Sequence, residues 1–198
     1  MYEKIVLELL VEDVNDNAPR FKEAIISINV PESAKPNVRI EVPDLRAADE
    51  DIGINGHIEY QVLPSGHFVV EDDDFRTYLI PQQSLDREKA SHWQGTVIAR
   101  DGGGREAHTQ LQVNIQDEND NAPSFTGSRF LATVEEGQPP GTFIYQVEAT
   151  DMDNEDNGLV QYQIVKVEPR SASDLFTIDA ATGYIKTTEA IDREVFDR

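Results

Sequence analysis

The sequence contains no cysteine and comparatively little positive charge. Without cysteine the chain has no disulfide, no catalytic thiol and no zinc site with cysteine ligands. Its 17 lysine and arginine residues are outnumbered by 38 aspartate and glutamate residues, which gives a formal net charge of −21. A chain this acidic is repelled by nucleic acid, so we exclude nucleic acid as a partner.

Long apolar runs are also missing. None approaches the roughly 20 residues that a membrane-spanning helix needs. Glu8 interrupts the apolar stretch that begins at Ile5, so the start of the sequence does not resemble a signal peptide. We therefore expect a fragment of a longer protein, with any membrane anchor and any targeting signals outside it.

The usual catalytic signatures are absent as well. The sequence has no Gly-x-Ser-x-Gly elbow and no phosphate-binding glycine loop, and its four histidines form no His-x-x-x-His pair. A glycosidase-type carboxylate pair needs a cleft and one carboxyl group held protonated. Here the acids occur in groups beside turn residues, which favours a bound cation. We predict no enzymatic activity and no small-molecule substrate.

Short segments of alternating apolar and polar residues dominate the chain, and helical periodicity is scarce. Seven such segments per ~100 residues, with turn signals between them, indicate an antiparallel β-sandwich. The predicted strands cover residues 5–11, 25–30, 38–42, 58–62, 68–70, 78–80, 93–99, 108–115, 130–134, 143–149, 160–167, 175–178 and 184–187.

An acidic motif occurs twice, at residues 13–19 (DVNDNAP) and 117–123 (DENDNAP), about one small domain apart. Three further motifs recur in the same order. Glu32 corresponds to Glu136, residues 47–56 correspond to 149–158, and residues 85–88 correspond to 191–194. Clusters of oxygen ligands without sulfur or histidine suit a hard cation such as Ca2+.

Two simpler explanations were weighed. Each Asp-Gly or Asn-Gly pair could merely turn a hairpin, and for any one motif this explanation is reasonable. An EF-hand loop needs Gly at position 6 and Glu at position 12, but a loop starting at Asp117 has Ala122 and Ser128 there. No single loop is sufficient, so the ligands must come from distant segments.

The ordered set of motifs resembles the extracellular cadherin repeat. The shared elements are Pro-Glu, Asp-x-Asp-x-Gly-x-Asn-Gly, Leu-Asp-Arg-Glu, Ala-x-Asp-Gly and Asp-x-Asn-Asp-Asn-Ala-Pro-x-Phe. The resemblance implies an all-β fold of tandem seven-stranded Greek-key β-sandwiches with Ig-like architecture. Residues 1–13 would be the closing strand of a preceding repeat, and 14–117 a complete repeat with its N-terminal linker. Residues 118–198 would be a linker and a partial repeat that lacks its last two strands.

The resemblance also implies structural Ca2+, with up to three ions at each complete junction between repeats. Before the complete repeat, the implied ligands are Asn15, Asp16, Asn17, Asp49, Asp51, Asn55 and Asp101. After it, they are Glu32, Asp86, Glu88, Glu118, Asn119, Asp120, Asn121, Asp151, Asp153 and Asn157. Like charges ~4 Å apart repel by ~4 kcal/mol at an effective dielectric constant of ~20, so bound calcium should stiffen a junction.

By resemblance, the chain would take part in calcium-dependent cell–cell adhesion or recognition on the extracellular side of the cell membrane. Its partner would be another cadherin-type ectodomain, by homophilic or heterophilic contact. One alternative is a non-adhesive spacer or force-bearing tether. Another is a secreted calcium-binding enzyme with cadherin-like modules, whose catalytic domain lies elsewhere. Sedimentation separates the first two, because adhesive repeats self-associate reversibly.

Overall fold

The structure is a computed structural model that describes residues 4–73 and 75–196. The chain divides into two compact units, Met1–Gln116 and Asp117–Arg198.

The first unit is built almost entirely of short strands. One turn of 3-10 helix, Pro43–Leu45, interrupts them. The strands are β1 (Arg20–Phe21), β2 (Ile25–Pro31), β3 (Ile40–Glu41), β4 (Ala47–Ala48), β5 (Glu59–Leu63), β6 (Phe68–Asp72), β7 (Thr77–Pro81), β8 (His92–Arg100) and β9 (Glu106–Gln116).

These strands form two main sheets, in the order β2-β9-β8-β5 and β3-β7-β6, together with a small β1-β4 pair. Neighbouring strands are antiparallel except for β2 and β9, which are parallel. Each main sheet contributes one of its sides to the core. The most deeply buried side chains include Phe68 and Leu79 of the β3-β7-β6 sheet, and Val97 and Leu111 of the β2-β9-β8-β5 sheet. Each such side chain stabilises the fold by roughly 1.5–3 kcal/mol through burial. The predicted β-sandwich is confirmed.

The second unit has fewer paired strands. No helix in the described part of the chain is long and apolar enough to cross a membrane. The elements of the second unit are β10 (Ser124–Phe125), β11 (Phe143–Gln146), β12 (Ala149–Thr150), a 3-10 turn (Arg170–Ala172), β13 (Phe176–Ile178), β14 (Tyr184–Thr187) and α1 (Arg193–Phe196). The sheets are β11-β14-β13 and the pair β10-β12.

Two strand predictions in the second unit are wrong: residues 130–134 and 160–167 form no strand. Their equivalents in the first unit, β2 and β5, pair with β9 and β8. The sequence has no counterpart of β8 or β9 after β14. Among the described residues neither segment pairs with a strand, although the Tyr162 backbone N–H donates to the Ala180 carbonyl at 2.9 Å. As a result Leu131 is 81% exposed and Val165 is 86% exposed.

Residues 5–11 were also predicted to be a strand, and they pair with no described strand. Leu7 and Leu9 in this segment are largely exposed. The interpretation of residues 1–13 as the closing strand of a preceding repeat stays a prediction, and residues 1–3 lie outside the described part.

Candidate metal centre

Three segments of the first unit meet to form what we call the first acidic cluster: residues 13–17, 49–55 and 101–103. The Asn17 backbone N–H donates to Asp51 Oδ2 at 3.1 Å, and Asn17 Nδ2 donates to Asp51 Oδ1 at 2.7 Å. Asp13 Oδ2 accepts from the Ile52 backbone N–H at 3.3 Å and from Asn55 Nδ2 at 2.9 Å. These bonds hold the linker segment against the loop that follows β4.

The turn between β8 and β9 supplies the third segment. Asp101 Oδ1 accepts from the backbone N–H groups of Gly103 at 2.9 Å and Arg105 at 2.8 Å. Arg105 Nη1 donates to the Asp16 carbonyl at 3.1 Å, which joins the turn to the linker. A Cβ added at Gly103 would lie 1.9 Å from Asn15 Nδ2. Glycine is therefore needed for Asn15 to approach the turn this closely.

The first acidic cluster contains buried oxygen atoms without a hydrogen-bond partner. These atoms are Oδ2 of Asp49, Oδ2 of Asp101 and Oδ1 of Asn15, whose Nδ2 is also unpartnered. Leaving a buried polar group unsatisfied costs about 1–3 kcal/mol, and more for a charged one. Carboxylate and amide oxygens are the ligands that Ca2+ prefers, so a bound cation would satisfy them together.

Hydrogen bonds lower the pKa of Asp51 and of Asp101, which favours the ionised form of both. Burial is the largest influence on the pKa of Asp101 and raises it, but hydrogen bonds outweigh it and lower that pKa below its ordinary value, with the Arg105 backbone N–H the largest of them. The Asn17 side chain is the largest influence on the pKa of Asp51 and lowers it. Ionised carboxylates are the form that a metal ion binds.

The second unit contains an equivalent hydrogen-bond network. We call it the second acidic cluster, and it consists of residues 117–121 and 151–157. Asn121 Nδ2 donates to Asp153 Oδ1 at 2.6 Å, as Asn17 does to Asp51. Asp117 accepts from the Asn154 backbone N–H at 3.0 Å and from Asn157 Nδ2 at 2.9 Å. The structure thus brings together the predicted residues Asn119, Asn121, Asp151, Asp153 and Asn157.

A third group lies at the other end of the first unit, where Glu32 is 6% exposed. Glu32 Oε2 accepts from the Arg87 backbone N–H at 2.8 Å, and one oxygen each of Glu32 and Glu88 lie within 4.8 Å of each other. Asp86, also a predicted ligand, instead pairs with Lys89 in this structure, and the hydrogen bond from the Lys89 side chain is the main reason that the pKa of Asp86 is lowered.

The remaining predicted ligands lie in the linker of the second unit. Asp120 Oδ1 accepts from Asn121 Nδ2 at 2.8 Å, and the Glu118 carbonyl accepts from the Asp120 backbone N–H at 2.9 Å. That Glu118 and Asp120 share ions with Glu32 and Glu88 stays a prediction.

Sequence reasoning missed two kinds of site residue. Asp13 and Asp117 were not among the predicted ligands, yet each organises its acidic cluster by accepting two side-chain or backbone N–H groups. Glu136, Asp192 and Glu194 bring oxygens within 4.8 Å of one another. The repeat marked these residues, because they recur at equivalent positions of the motifs, but it did not show which N–H groups Asp13 and Asp117 accept from.

Negative charges are crowded in the group formed by Glu136, Asp192 and Glu194. The neighbouring Asp192 side chain is the largest influence on the pKa of Glu194 and raises it, with smaller contributions from Glu136. A carboxyl group beside another carboxyl group resists ionisation, since two negative charges at this separation repel.

A family model described as "Cadherin domain" matches residues 6–116 and 130–198. Among curated relatives, protocadherin-11 X-linked of Homo sapiens is 35% identical over an alignment of 202 positions, which covers 98% of this chain and 15% of the relative. Protocadherin gamma-A9 of Homo sapiens is 33% identical over 195 residues, 95% of this chain and 21% of the relative. The chain therefore spans about a sixth to a fifth of the length of these relatives.

Solved structures give the same result for the fold. Mouse clustered PcdhgC3 EC1-3 matches with a TM-score of 0.82 and 31% identity, covering 93% of this chain and 61% of that one. Mouse cadherin-23 EC22-24 matches with a TM-score of 0.75 and 29% identity, covering 91% of this chain and 57% of that one.

Proposed function

Because the chain belongs to the cadherin family, we propose that it is a calcium-dependent adhesion or recognition segment of a longer cell-surface ectodomain. In this proposal Ca2+ is structural: ions bound where consecutive repeats meet stiffen the ectodomain, and another cadherin-type ectodomain is the partner. No enzymatic family is indicated by the matches, and the proposal assigns the chain no reaction.

The observation that carries the calcium part of this proposal is the first acidic cluster. Asn15, Asp49 and Asp101 come from three distant segments and present buried oxygens without hydrogen-bond partners. Asp51 and Asp13 add two more negative charges to the same cluster. Negative charges gathered in one cluster repel one another, and a bound cation would offset that repulsion.

Titration calorimetry with Ca2+ tests this proposal. Asp101→Asn keeps the shape of the side chain and removes one charge from the cluster, so we expect its affinity for Ca2+ to fall at least ~10-fold, or ~1.4 kcal/mol. Asp73→Asn is the matched control, since Asp73 lies in the β6–β7 hairpin and accepts hydrogen bonds there from Phe75, Arg76 and Tyr78. Its isotherm should match that of the unsubstituted chain.

The proposal has a clear contrary result. If the unsubstituted chain takes up no Ca2+ at millimolar concentration, the calcium part is wrong. Equal losses in Asp101→Asn and Asp73→Asn would show that binding depends on net charge alone.

A further inference from the structure

The loop that follows β4 contains an asparagine directly before a glycine, and the loop that follows β12 repeats this pair. The two pairs are Asn55-Gly56 and Asn157-Gly158, and the sequence has no other Asn-Gly pair. Asparagine is one of the thermally labile residues. It is most labile before glycine, because the missing side chain leaves the next backbone nitrogen open to attack. Each acidic cluster therefore contains one labile pair.

Close packing of the backbone requires both glycines. A Cβ added at Gly56 would lie 2.1 Å from the Asp51 carbonyl oxygen. One added at Gly158 would lie 2.3 Å from the Asp153 carbonyl oxygen. Neither glycine is among those with positive φ, so close approach and not turn geometry excludes a side chain. The loops cannot replace the labile pair with Asn-Ala unless the backbone moves.

The glycine nitrogens are only weakly engaged in hydrogen bonding. No described residue accepts a hydrogen bond from the Gly56 N–H. The Gly158 N–H donates to the Asn154 carbonyl at 3.4 Å, a long hydrogen bond. Both pairs are only half-buried, so water also reaches them. Each loop thus leaves its glycine nitrogen available to the preceding side chain.

We propose that Asn55 and Asn157 are sites of spontaneous deamidation and that the metal-free chain is the reactive form; the second part rests on the calcium function proposed above. The nitrogen of the following glycine attacks the asparagine Cγ. As the N–Cγ bond forms, the Cγ–Nδ2 bond breaks, and Nδ2 leaves as ammonia with the proton of the glycine N–H. A water molecule then opens the cyclic imide at either ring carbonyl, which gives aspartate or isoaspartate.

The acidic clusters restrain this reaction. Asn55 Nδ2 donates to Asp13 Oδ2 at 2.9 Å, and that bond must break when the amide turns towards the Gly56 nitrogen. In the proposed function a bound ion holds the same loop to the linker and to the β8–β9 turn, which adds to the restraint. Removal of Ca2+ should therefore speed the reaction.

Deamidation would separate the linker from the loop. The new carboxylate has no N–H to donate to Asp13, and the two negative charges repel each other. In isoaspartate the main chain also runs through Cβ and Cγ, so the Asn55 carbonyl loses its place in the backbone. Asn157 and Asp117 would be affected in the same way, because Asn157 Nδ2 donates to Asp117 Oδ2 at 2.9 Å. We therefore expect the aged chain to bind Ca2+ at least ~10-fold more weakly.

Peptide mapping by mass spectrometry tests the proposal on the intact chain. The chain is kept at body temperature in mildly alkaline buffer, with Ca2+ or with EDTA, while circular dichroism confirms that it stays folded. Aspartate and isoaspartate should accumulate at positions 55 and 157, several-fold faster in EDTA. Asn17 and Asn121 are internal controls, because each lies in an acidic cluster but precedes alanine, and both should stay unmodified.

Asn55→Gln provides the variant control. Glutamine must close a larger ring, so product at position 55 should disappear. Product at Asn157 should form at an unchanged rate, since that loop lies in the other unit. This variant is preferred to Gly56→Ala, in which the contact with the Asp51 carbonyl oxygen would disturb the fold.

The outcomes separate this inference from the calcium proposal. No product at either position in EDTA overturns the inference, and calorimetry shows independently whether the chain binds Ca2+. Equal rates with Ca2+ and with EDTA, in a chain that binds Ca2+, overturn the claim that the metal-free form is the reactive one. Product in a chain that binds no Ca2+ supports the modification sites and counts against the proposed function.

Discussion

In the first unit β2 and β5 pair with β9 and β8, whereas the equivalent residues 130–134 and 160–167 of the second unit pair with no strand. Both units nevertheless form the same acidic network, with Asn17 bonded to Asp51 and Asn121 bonded to Asp153. The network is held within about 40 residues of chain, while the sandwich core depends on strands at the far end of the repeat. The acidic network is thus formed by local segments of chain in both units.

The largest expected difference between the units concerns the core. Leu111 in β9 is fully buried and Leu131 is 81% exposed, so the same Leu→Ala change can be made in both. Leu111→Ala should lower the free energy of unfolding of the first unit by about 2–5 kcal/mol, through lost burial and a cavity. Leu131→Ala should change stability by less than ~0.5 kcal/mol, as exposed substitutions usually do.

Hydrogen exchange measured peptide by peptide reports on each unit separately within the intact chain. Protection of β8 and β9 should fall in Leu111→Ala and stay constant in Leu131→Ala. A large loss of protection on substituting Leu131 would show that residues 130–134 are packed into a core after all.

A smaller effect is expected where the acidic clusters differ. The β8–β9 turn contributes Asp101 and the close contact of Gly103 with Asn15 to the first cluster, and the printed sequence has no counterpart of this turn in the second unit. Gly103→Ala would place a Cβ where Asn15 Nδ2 now lies. Asn15 can rotate away at little cost to folding, so we expect ~10-fold weaker Ca2+ binding and less than ~1 kcal/mol loss of stability.

Gly66→Ala is the opposite control. Gly66 has φ +97° and nothing within 4 Å of an added Cβ, so alanine there strains the backbone by about 1 kcal/mol without touching the acidic cluster. Calorimetry should show unchanged Ca2+ affinity in Gly66→Ala and reduced affinity in Gly103→Ala. Unchanged affinity in both would remove Asn15 from the ligand set.

The sequence predicted most of the first unit because alternation and turns are local signals. The predicted strands at 93–99 and 108–115 are present as β8 and β9, each extended by one or two residues at both ends. Alternation also predicted strands at 130–134 and 160–167, which do not form. The pattern encodes which side chains face a core, but it does not specify which strand supplies the backbone partner.

The sequence also predicted part of the candidate site: it indicated which acidic residues would come together, but not the hydrogen bonds that hold them. The positions of Asp49 and Asp51 follow from a motif that recurs at Asp151 and Asp153, and Asp101 was expected from the family resemblance, so their convergence could be expected. The roles of Asp13 and Asp117 as acceptors for loop N–H groups could not, because they depend on loop geometry that spacing alone does not determine. Nor could spacing predict that Lys89 would pair with Asp86.

The smallest expected effect compares the turns of the two hairpins. Asp73 caps the β6–β7 turn and Asp179 caps the β13–β14 turn. The Arg76 backbone N–H is the main cause of the lowered pKa of Asp73, and the Thr182 side-chain hydroxyl is the main cause of the lowered pKa of Asp179. A folded-state pKa below the ordinary ~3.9 means that each cap stabilises its turn above that pH and is lost as pH falls through the lowered value.

The chemical shifts of the Arg76 and Thr182 amide protons, followed by NMR against pH, test this comparison. Both should titrate with midpoints below ~3.9, the ordinary value for aspartate. Asp73→Asn should abolish the titration at Arg76 and leave that at Thr182, since the two carboxyl groups lie in different units. A midpoint at or above the ordinary value in either hairpin would mean that its aspartate is not the cap, and that the turn is held by backbone hydrogen bonds such as those from Asp73 to Arg76 and from Gly183 to Asp179.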